Sequence, residues 1–237
     1  MAGHNKWSKI KHIKAKEDAK KGKIFTRIAR EITIAAKAGG GDPSFNAQLR
    51  NLLDKARAAN MPNENASRAI KKGTGELPGT SYEAITYEGY GPCGVAVIID
   101  TLTDNRNRTV AELRFIFSKH NGQLGDTNTV AWMFNRMGVI HCITNHSEDE
   151  LLEILLDYDI QDIKKDGNQW IIIGNSKSLD DIKQALIKAE CSVDHAEIEW
   201  IAQNGIELDE QETEKVVNLL SELDDHEDVQ SVYSSMI

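Results

Sequence analysis

Residues 139–174 read VIHCITNHSEDELLEILLDYDIQDIKKDGNQWIIIG and contain most of one predicted domain. Short runs of Val and Ile alternate with segments of helical spacing. Ser147 followed by acidic residues is typical of a helix start, and Asp166-Gly-Asn168 is a strong hairpin signal. Continued toward the C-terminus, the pattern predicts a strand at 139–143, a helix at 148–158, strands at 160–164 and 169–173, a helix at 178–189 and a strand at 197–201.

The order β-α-β-β-α-β is that of ferredoxin-like domains, and we assign it to residues 135–205. The flanking segments complement each other. Residues 80–134 and 206–237 are predicted to contain strands at 85–88, 95–100 and 131–134, a helix at 109–121, a second helix at 209–223 and a last strand at 229–233. One helix and one strand are too few for a domain, so we expect the tail to pack on residues 80–134, with 135–205 inserted.

Residues 1–79 are predicted to be helical, with the last helix ending at Gly73, and residues 74–81 are predicted to be the linker to the next domain. Apolar residues from Ile24 to Ala36 recur at helical spacing, and the glycines after Ala38 end that helix. Asp42-Pro43 is predicted to start the second helix with Asp42 as N-cap, and Pro62 to open a third that ends at Gly73. The predicted fold class is therefore α+β: an N-terminal helical bundle plus two α/β (ferredoxin-like) domains, one inserted in the other.

The charge of the chain is divided between its two ends. Residues 1–79 carry 17 Lys/Arg and 7 Asp/Glu, a net charge of +10, whereas the whole chain carries −9. A basic segment of this density favours polyanion binding, because each Lys or Arg placed on a phosphate releases a condensed counterion. The acidic remainder would keep the rest of the chain away from the same polyanion.

Composition also indicates where the protein works. No apolar run approaches the roughly 18 residues that a membrane span needs, and no secretory h-region precedes the first lysines. The three cysteines, Cys93, Cys142 and Cys191, are isolated and odd in number, which indicates reduced thiols. We expect a cytoplasmic protein with no membrane partner.

Three patterns raise the possibility of an enzyme, and each has a structural explanation. Gly89-Tyr-Gly-Pro-Cys-Gly94 matches G-x-G-x-x-G, but a strand follows it, so a tight turn between strands explains it better than a dinucleotide site. The histidines show no metal-ligand spacing, and no Ser or Cys nucleophile motif is present. The acidic runs 209–214 and 224–228 are interpreted as a helix start and a solvated turn. We predict no catalytic residue, metal, cofactor or small-molecule substrate.

The segment Thr103-Asp-Asn-Arg-Asn-Arg-Thr109 lies between a predicted strand and a predicted helix. Arg106 and Arg108 could hold phosphate there, next to a helix N-terminus. Alternatively, the segment is an Asx-rich turn that caps the helix, with Asp104 paired to an arginine. Both readings stay open at this point.

The basic N-terminal arm is the main candidate for nucleic-acid contact. Trp7 between lysines offers a stacking surface. The RNA-recognition-motif signature is absent, so base stacking on a sheet is not expected. The predicted nucleic-acid-binding residues are Lys6, Trp7, Lys9, Lys11, Lys14, Lys20, Lys21, Lys23, Arg27, Arg30, Arg106 and Arg108.

Several segments together resemble the YebC/PmpR family. They are Ala2-Gly-His-Asn-Lys-Trp7, Asp18-Ala-Lys-Lys-Gly-Lys-Ile-Phe25, Ala38-Gly-Gly-Gly-Asp-Pro43, Tyr87-Glu-Gly-Tyr-Gly-Pro92, Asp104-Asn-Arg-Asn-Arg-Thr-Val-Ala-Glu112 and Asp228-Val-Gln-Ser-Val-Tyr233. The family pattern has Ser at Asn5 and Gly at Cys93, and neither difference touches a basic residue. The resemblance implies a three-domain, cytoplasmic, non-enzymatic regulator of gene expression.

Family members are described either as DNA-binding transcription regulators or as translational activators at the ribosome. We therefore expect a DNA-binding transcriptional regulator, with a ribosome-associated translation factor that binds RNA as the alternative. No helix-turn-helix with base-reading positions stands out in residues 24–73, which favours ribosomal RNA on physical grounds.

Overall fold

A computed structural model describes residues 21–79 and 81–237. In chain order its helices and strands are α1 (Lys21–Gly39), α2 (Ala47–Ala58), α3 (Asn63–Gly73), β1 (Glu83–Tyr90), β2 (Ala96–Thr103), α4 (Arg106–Lys119), β3 (Gln123–Leu124), β4 (Phe134–Ile143), α5 (Glu148–Ile154), β5 (Ile160–Asp166), β6 (Gln169–Asn175), α6 (Leu179–Lys188), β7 (Ser192–Ala202), α7 (Glu210–Asp225) and β8 (Val229–Ser234). The predicted fold class, mixed α+β, is confirmed, with two four-stranded antiparallel sheets.

The helical bundle packs α1 against α2 and α3 around buried Ile28, Ile32 and Leu49. Helices α1 and α3 approach so closely at Gly73 that a Cβ there would lie 2.4 Å from the carbonyl oxygen of Thr33. Only glycine leaves room for this crossing. The Thr33 hydroxyl lies between the carbonyl oxygens of Ala29 in its own helix, at 2.8 Å, and of Ala69 in α3, at 3.2 Å.

The predicted N-cap of the second helix is wrong. Asp42 instead closes a turn, in which its carboxylate accepts from the Ser44 N–H at 2.8 Å. The true N-cap is Asn46, whose side-chain oxygen accepts from the N–H of Leu49 at 3.0 Å. The amide nitrogen of Asn46 also donates to the carbonyl oxygens of Ala35 and Gly40, both at 2.9 Å, so this side chain ties two helix ends together.

The first sheet has the strand order β3-β1-β2-β8, and α4 and α7 contribute to its core. Tail strand β8 pairs antiparallel with β2, and tail helix α7 buries Val216, Leu219, Leu220 and Leu223. Each such side chain contributes about 1.5–3 kcal/mol on burial. Strand β3 was not predicted, because two residues are too short for a periodic signal.

The second sheet has the order β5-β6-β4-β7, with every neighbouring pair antiparallel. This is the ferredoxin-like order expected from β-α-β-β-α-β. Helices α5 and α6 cover one face through Leu151, Ile182 and Leu186. Gly167, at a φ of 61°, lies in the hairpin turn between β5 and β6.

Three predicted boundaries in this region are wrong. Residues 131–134 are not a separate strand, since Ala131–Met133 is a single 3-10 turn and β4 runs without a break from Phe134. Pairing of β4 with β7 holds the polar segment 135–138 in the strand. Helix α5 stops at Ile154, four residues early, and β7 starts at Ser192, five residues early.

By its internal contacts the described chain consists of two compact units. One is Trp132–Asn204, and the other joins the residues before 132 to Gly205–Ile237. The finer division into three domains, at 1–79, 80–134 plus 206–237, and 135–205, stays a prediction.

A fragment of residues 132–204 should therefore fold alone, because it holds one whole sheet with both covering helices. A fragment of residues 80–131 should not, since it lacks β8 and the four buried leucine and valine side chains of α7. Thermal unfolding followed by circular dichroism checks both. A cooperative transition in the shorter fragment would contradict the discontinuous domain.

Candidate nucleic-acid interface

The predicted binding residues fall into three groups. Lys6, Trp7, Lys9, Lys11, Lys14 and Lys20 lie outside the described residues. Lys21, Lys23, Arg27 and Arg30 lie on α1, and Arg106 and Arg108 lie in the first turn of α4. The structure brings Lys23, Arg27 and Arg30 of the α1 group and Arg108 of the α4 group to residues 224–228, at the junction of α7 and β8, which we call the acidic turn.

Three cations of α1 pair with this acidic turn. Lys23, Arg27 and Arg30 are spaced by four and three residues, so they share one face of the helix. Lys23 Nζ lies 3.1 Å from Asp225 Oδ1, Arg27 Nη1 lies 3.4 Å from Asp224 Oδ1, and Arg30 Nη1 lies 3.1 Å from Asp228 Oδ1. Arg27 Nη2 also donates to the carbonyl oxygen of Asp224.

Burial increases along this row of ion pairs. The side chains of Lys23 and Asp225 are 48% and 62% exposed, whereas those of Arg30 and Asp228 are 12% and 1% exposed. An exposed pair contributes little to stability and is screened by salt, but a buried charge needs its partner. The Lys23 end of the row is therefore easily exchanged, and the Arg30 end is structural.

Arg30 is held from several sides. Its Nη1 donates to the carbonyl oxygens of Glu227 and Leu102, at 2.6 and 3.3 Å, and its guanidinium lies 5.3 Å from the ring centroid of Tyr82. Together with the Asp228 pair, these contacts attach α1 to the end of β2 and to the acidic turn.

Asp228 is the centre of the site. Its Oδ2 accepts from Thr109 Oγ1 at 2.7 Å, from Arg108 Nη2 at 2.8 Å and from Thr103 Oγ1 at 3.3 Å. Burial alone would raise the pKa of Asp228, but the hydrogen bonds from Arg108 and Thr109 and the charges of Arg108 and Arg30 outweigh it, so the pKa is lowered. The carboxylate is thus ionised at neutral pH. The sequence interpretation of residues 224–228 as a solvated turn is wrong for Asp228.

The segment 103–109 forms the capping turn that was one of its two predicted readings. Asn105 is the N-cap of α4, and its side chain accepts from the Arg108 N–H at 3.1 Å. Arg108 Nη2 reaches Asp104 Oδ1 at 3.0 Å as well as Asp228. The hydrogen bond that Arg108 donates to Asp228, together with the negative charge of Asp228, raises the pKa of Arg108 above its ordinary value.

Arg106 differs from Arg108. Its side chain is exposed, and the part of the chain that the structure describes offers it no hydrogen bond or ion pair. It lies close enough to Tyr87 for its charge to oppose the rise in the pKa of Tyr87 that burial causes. Arg106 is therefore the cation of this turn that can accept an outside anion without losing an internal contact.

The two arginines should respond differently to Arg→Lys, which keeps the charge and loses the planar fork. Arg108→Lys should lower the melting temperature by a few degrees, because the lysine side chain is one bond shorter and loses reach to Asp104 and buried Asp228. Arg106→Lys should leave stability unchanged and weaken nucleic-acid binding. Differential scanning fluorimetry and a binding isotherm on each variant check this, and an Arg106→Lys variant with wild-type affinity would remove Arg106 from the interface.

The other candidate motifs have structural roles. The 89–94 segment comprises the last two residues of β1 and the turn that leads to β2, with Cys93 and Gly94 at φ of 60° and 74°. Asp209 and Glu212 form a capping box at the start of α7. Burial among apolar residues is the main cause that raises the pKa of Cys142 to about 12, and the nearby thiol of Cys191 adds to it. The Cys142 thiol is therefore not a nucleophile.

Glu112, His226 and Asp228 bring three potential metal ligands within 4.8 Å of one another. The donor atoms are already in use, however. His226 Nδ1 accepts from the Asp228 N–H at 3.1 Å, so His226 Nε2 carries the hydrogen that it shares with Glu112 Oε2 at 2.8 Å. With two arginines on Asp228 as well, these residues do not fit a cation.

Sequence reasoning missed the acidic partner of α1. The pairs join residues about 200 positions apart, and the signal that was available is the presence of two short clusters of opposite charge: cations at 23, 27 and 30 and carboxylates at 224, 225 and 228. Among the described helices, none has the length and apolar character needed to cross a membrane.

Family models match two parts of the chain. Residues 82–236 match the second and third domain of TACO1/YebC proteins, and residues 5–76 match the TACO1/YebC N-terminal domain. Together with the two sheets and the helical bundle, these matches define the class to which the protein belongs.

Individual relatives agree over the full length. A protein of Chlorobium chlorochromatii named "probable transcriptional regulatory protein" is 51% identical over 240 residues, which cover 100% of this chain and 95% of the relative. A protein of the same name from Desulfosudis oleivorans is 47% identical, with coverages of 99% and 96%. The crystal structure of a conserved hypothetical protein from Aquifex aeolicus superimposes with a TM-score of 0.85 at 41% identity, covering 94% of this chain and 93% of that one. The chain belongs to the TACO1/YebC family, which confirms the resemblance found in its motifs.

Proposed function

We propose that this protein is a non-enzymatic, cytoplasmic regulator of gene expression that binds nucleic acid through its basic N-terminal arm and helical bundle. The names of the relatives support a regulatory role. The observation that carries the proposal is the row of cations on α1, each of which holds a carboxylate oxygen at 3.1–3.4 Å. Groups arranged to hold a series of carboxylates can also hold a series of phosphates.

In this proposal the carboxylates of Asp224 and Asp225 occupy, in the free protein, the positions that phosphates take in the complex. Lys23 and Arg27 exchange Asp225 and Asp224 for phosphates, because those pairs are exposed or partly exposed. Arg30 and Arg108 stay on buried Asp228 and brace the interface. The arm lysines, Lys21 and Arg106 supply further phosphate contacts.

DNA is the first candidate partner, in line with the transcriptional name of the relatives. RNA at the ribosome is the second, and one observation favours it: the ring of Phe45, in the loop between α1 and α2, is 89% exposed. Aromatic rings of this kind stack on unpaired bases, which RNA presents far more often than duplex DNA.

Removing the carboxylates that compete with phosphates for Lys23 and Arg27 should strengthen the binding of nucleic acid. The double variant Asp224→Asn/Asp225→Asn should bind both duplex DNA and single-stranded RNA several-fold more tightly, whereas Lys23→Gln/Arg27→Gln should bind more weakly. For the latter the slope of log K against log salt should fall by about 1.8 on duplex DNA or about 1.4 on a single strand. Fluorescence anisotropy across a salt series measures both.

Glu210→Gln/Glu214→Gln is the matched control, since it removes the same charge from the exposed start of the same helix. If the acidic-turn variant binds no more tightly than this control, the exchange of carboxylate for phosphate is wrong. Sedimentation of the native protein from lysate, with and without ribonuclease, separates the two partners: only a ribosome-bound protein leaves the heavy fractions after digestion.

A further inference from the structure

The loop between α1 and α2 is braced by hydrogen bonds and yet presents an aromatic ring to solvent. Asn46 ties the loop to the end of α1 through its bonds to Ala35 and Gly40. The Phe45 N–H donates to the carbonyl oxygen of Asp42 at 3.2 Å. The Phe45 ring is nevertheless 89% exposed. The loop therefore holds the backbone of Phe45 in place and leaves its ring facing solvent.

A cation lies against the same loop. Arg50 Nη1 donates to the carbonyl oxygen of Pro43 at 3.3 Å, and the Arg50 side chain is otherwise exposed. The two nearest carboxylates in sequence have other partners: Asp54 pairs with Arg57, and Asp42 accepts from the Ser44 N–H. Residues 21–79 as a whole carry 11 Lys/Arg and 5 Asp/Glu, so a polyanion is attracted to this unit.

We propose that Phe45 stacks on an unpaired nucleobase while Arg50 contacts a neighbouring phosphate. This inference rests on the proposed function and names the part of the nucleic acid that is read. Because the loop backbone is already held, binding needs to fix only the two side-chain torsions of Phe45, which keeps the entropy cost of stacking small. Both RNA and DNA carry nucleobases, so the strand type is decided by experiment.

Phe115 provides the contrast. It is also exposed, at 67%, but it lies on α4 beside Glu112 and His226, next to the acidic turn. In the proposed complex the phosphates lie on α1, whereas the surface beside Phe115 keeps the half-exposed carboxylate of Glu112, which repels phosphate. Exposure alone therefore does not distinguish the two rings, and charge does.

The test uses the full-length protein and four labelled probes: a single-stranded 12-mer of RNA, its DNA equivalent, and the duplex of each. Phe45→Leu keeps apolar area and removes the π-face. We expect it to weaken single-strand binding by roughly 5- to 150-fold with an unchanged salt slope, because no phosphate contact is lost. Phe45→Trp should retain wild-type affinity, and Arg50→Gln should lower the single-strand slope by about 0.7.

Phe115→Leu is the matched control and should bind like the wild type. Equal binding of Phe45→Leu and wild type to every probe would overturn the inference and leave the proposed function intact. A wild type that binds none of the four probes would overturn both. If Phe45→Leu instead converts a wild-type dimer to a monomer in analytical ultracentrifugation, the ring is a self-association contact and the inference is wrong.

Discussion

Asp228→Ala should lower the free energy of unfolding by about 3 kcal/mol, because it leaves two arginines without the buried carboxylate they share. Thr109 and Thr103 lose their acceptor at the same time. Urea unfolding at neutral pH measures the difference. Asp225→Asn is the control: it alters an exposed pair of the same turn and should change stability by about 0.5 kcal/mol or less.

The effect of Asp228 should depend on pH in a defined direction. Its folded-state pKa lies below the ordinary 3.8, so the carboxylate stabilises the fold fully above that value. The contribution is lost as pH falls through the folded-state pKa. The stability difference between wild type and Asp228→Asn should thus be constant at neutral pH and shrink below about pH 4. A difference that grows in acid would contradict the ionised, arginine-braced carboxylate.

Deletion of residues 2–20 should have the largest effect on binding. This segment carries 6 Lys/Arg and 2 Asp/Glu. If its five predicted contacts, Lys6, Lys9, Lys11, Lys14 and Lys20, each hold a phosphate, the salt slope should fall by about 4.5 on duplex DNA or about 3.5 on single-stranded RNA.

The deletion is best measured beside a full-length variant with the same five lysines changed to Gln, which keeps the length of the arm. Equal slopes for the two variants assign the effect to charge. An unchanged slope in both would show that the arm makes no phosphate contacts and would leave α1, Arg50 and Arg106 as the candidate cations.

Local pattern alone determined much of the fold. The alternation of strand and helix periods in residues 139–201 led to the β-α-β-β-α-β order, and the second sheet has the corresponding strand arrangement. Ser147 and Asp209 were found at helix starts because a cap acts on N–H groups only two or three residues away. The sorting of charge, and with it the attraction to polyanions, is likewise a property of composition.

Only the tertiary structure decided the details that depend on distant partners. Asp and Asn are similarly favoured at N-caps; the sequence predicted Asp42, and the structure uses Asn46, whose amide also reaches Ala35 across the α1–α2 loop. Residues 135–138 look like a turn by composition but continue β4, since β7 supplies their hydrogen bonds.

Dependence on distant partners also explains why the ion pairs of the candidate site were not predicted. Lys23, Arg27 and Arg30 appeared as phosphate contacts because their charges are visible in the sequence, but their carboxylate partners lie about 200 residues away. Burial of Asp228 arises from the packing of α1, β2 and α4 around one turn, and no periodicity in residues 224–228 encodes it. Sequence shows which charges a chain has, whereas the fold decides which of them are already in use.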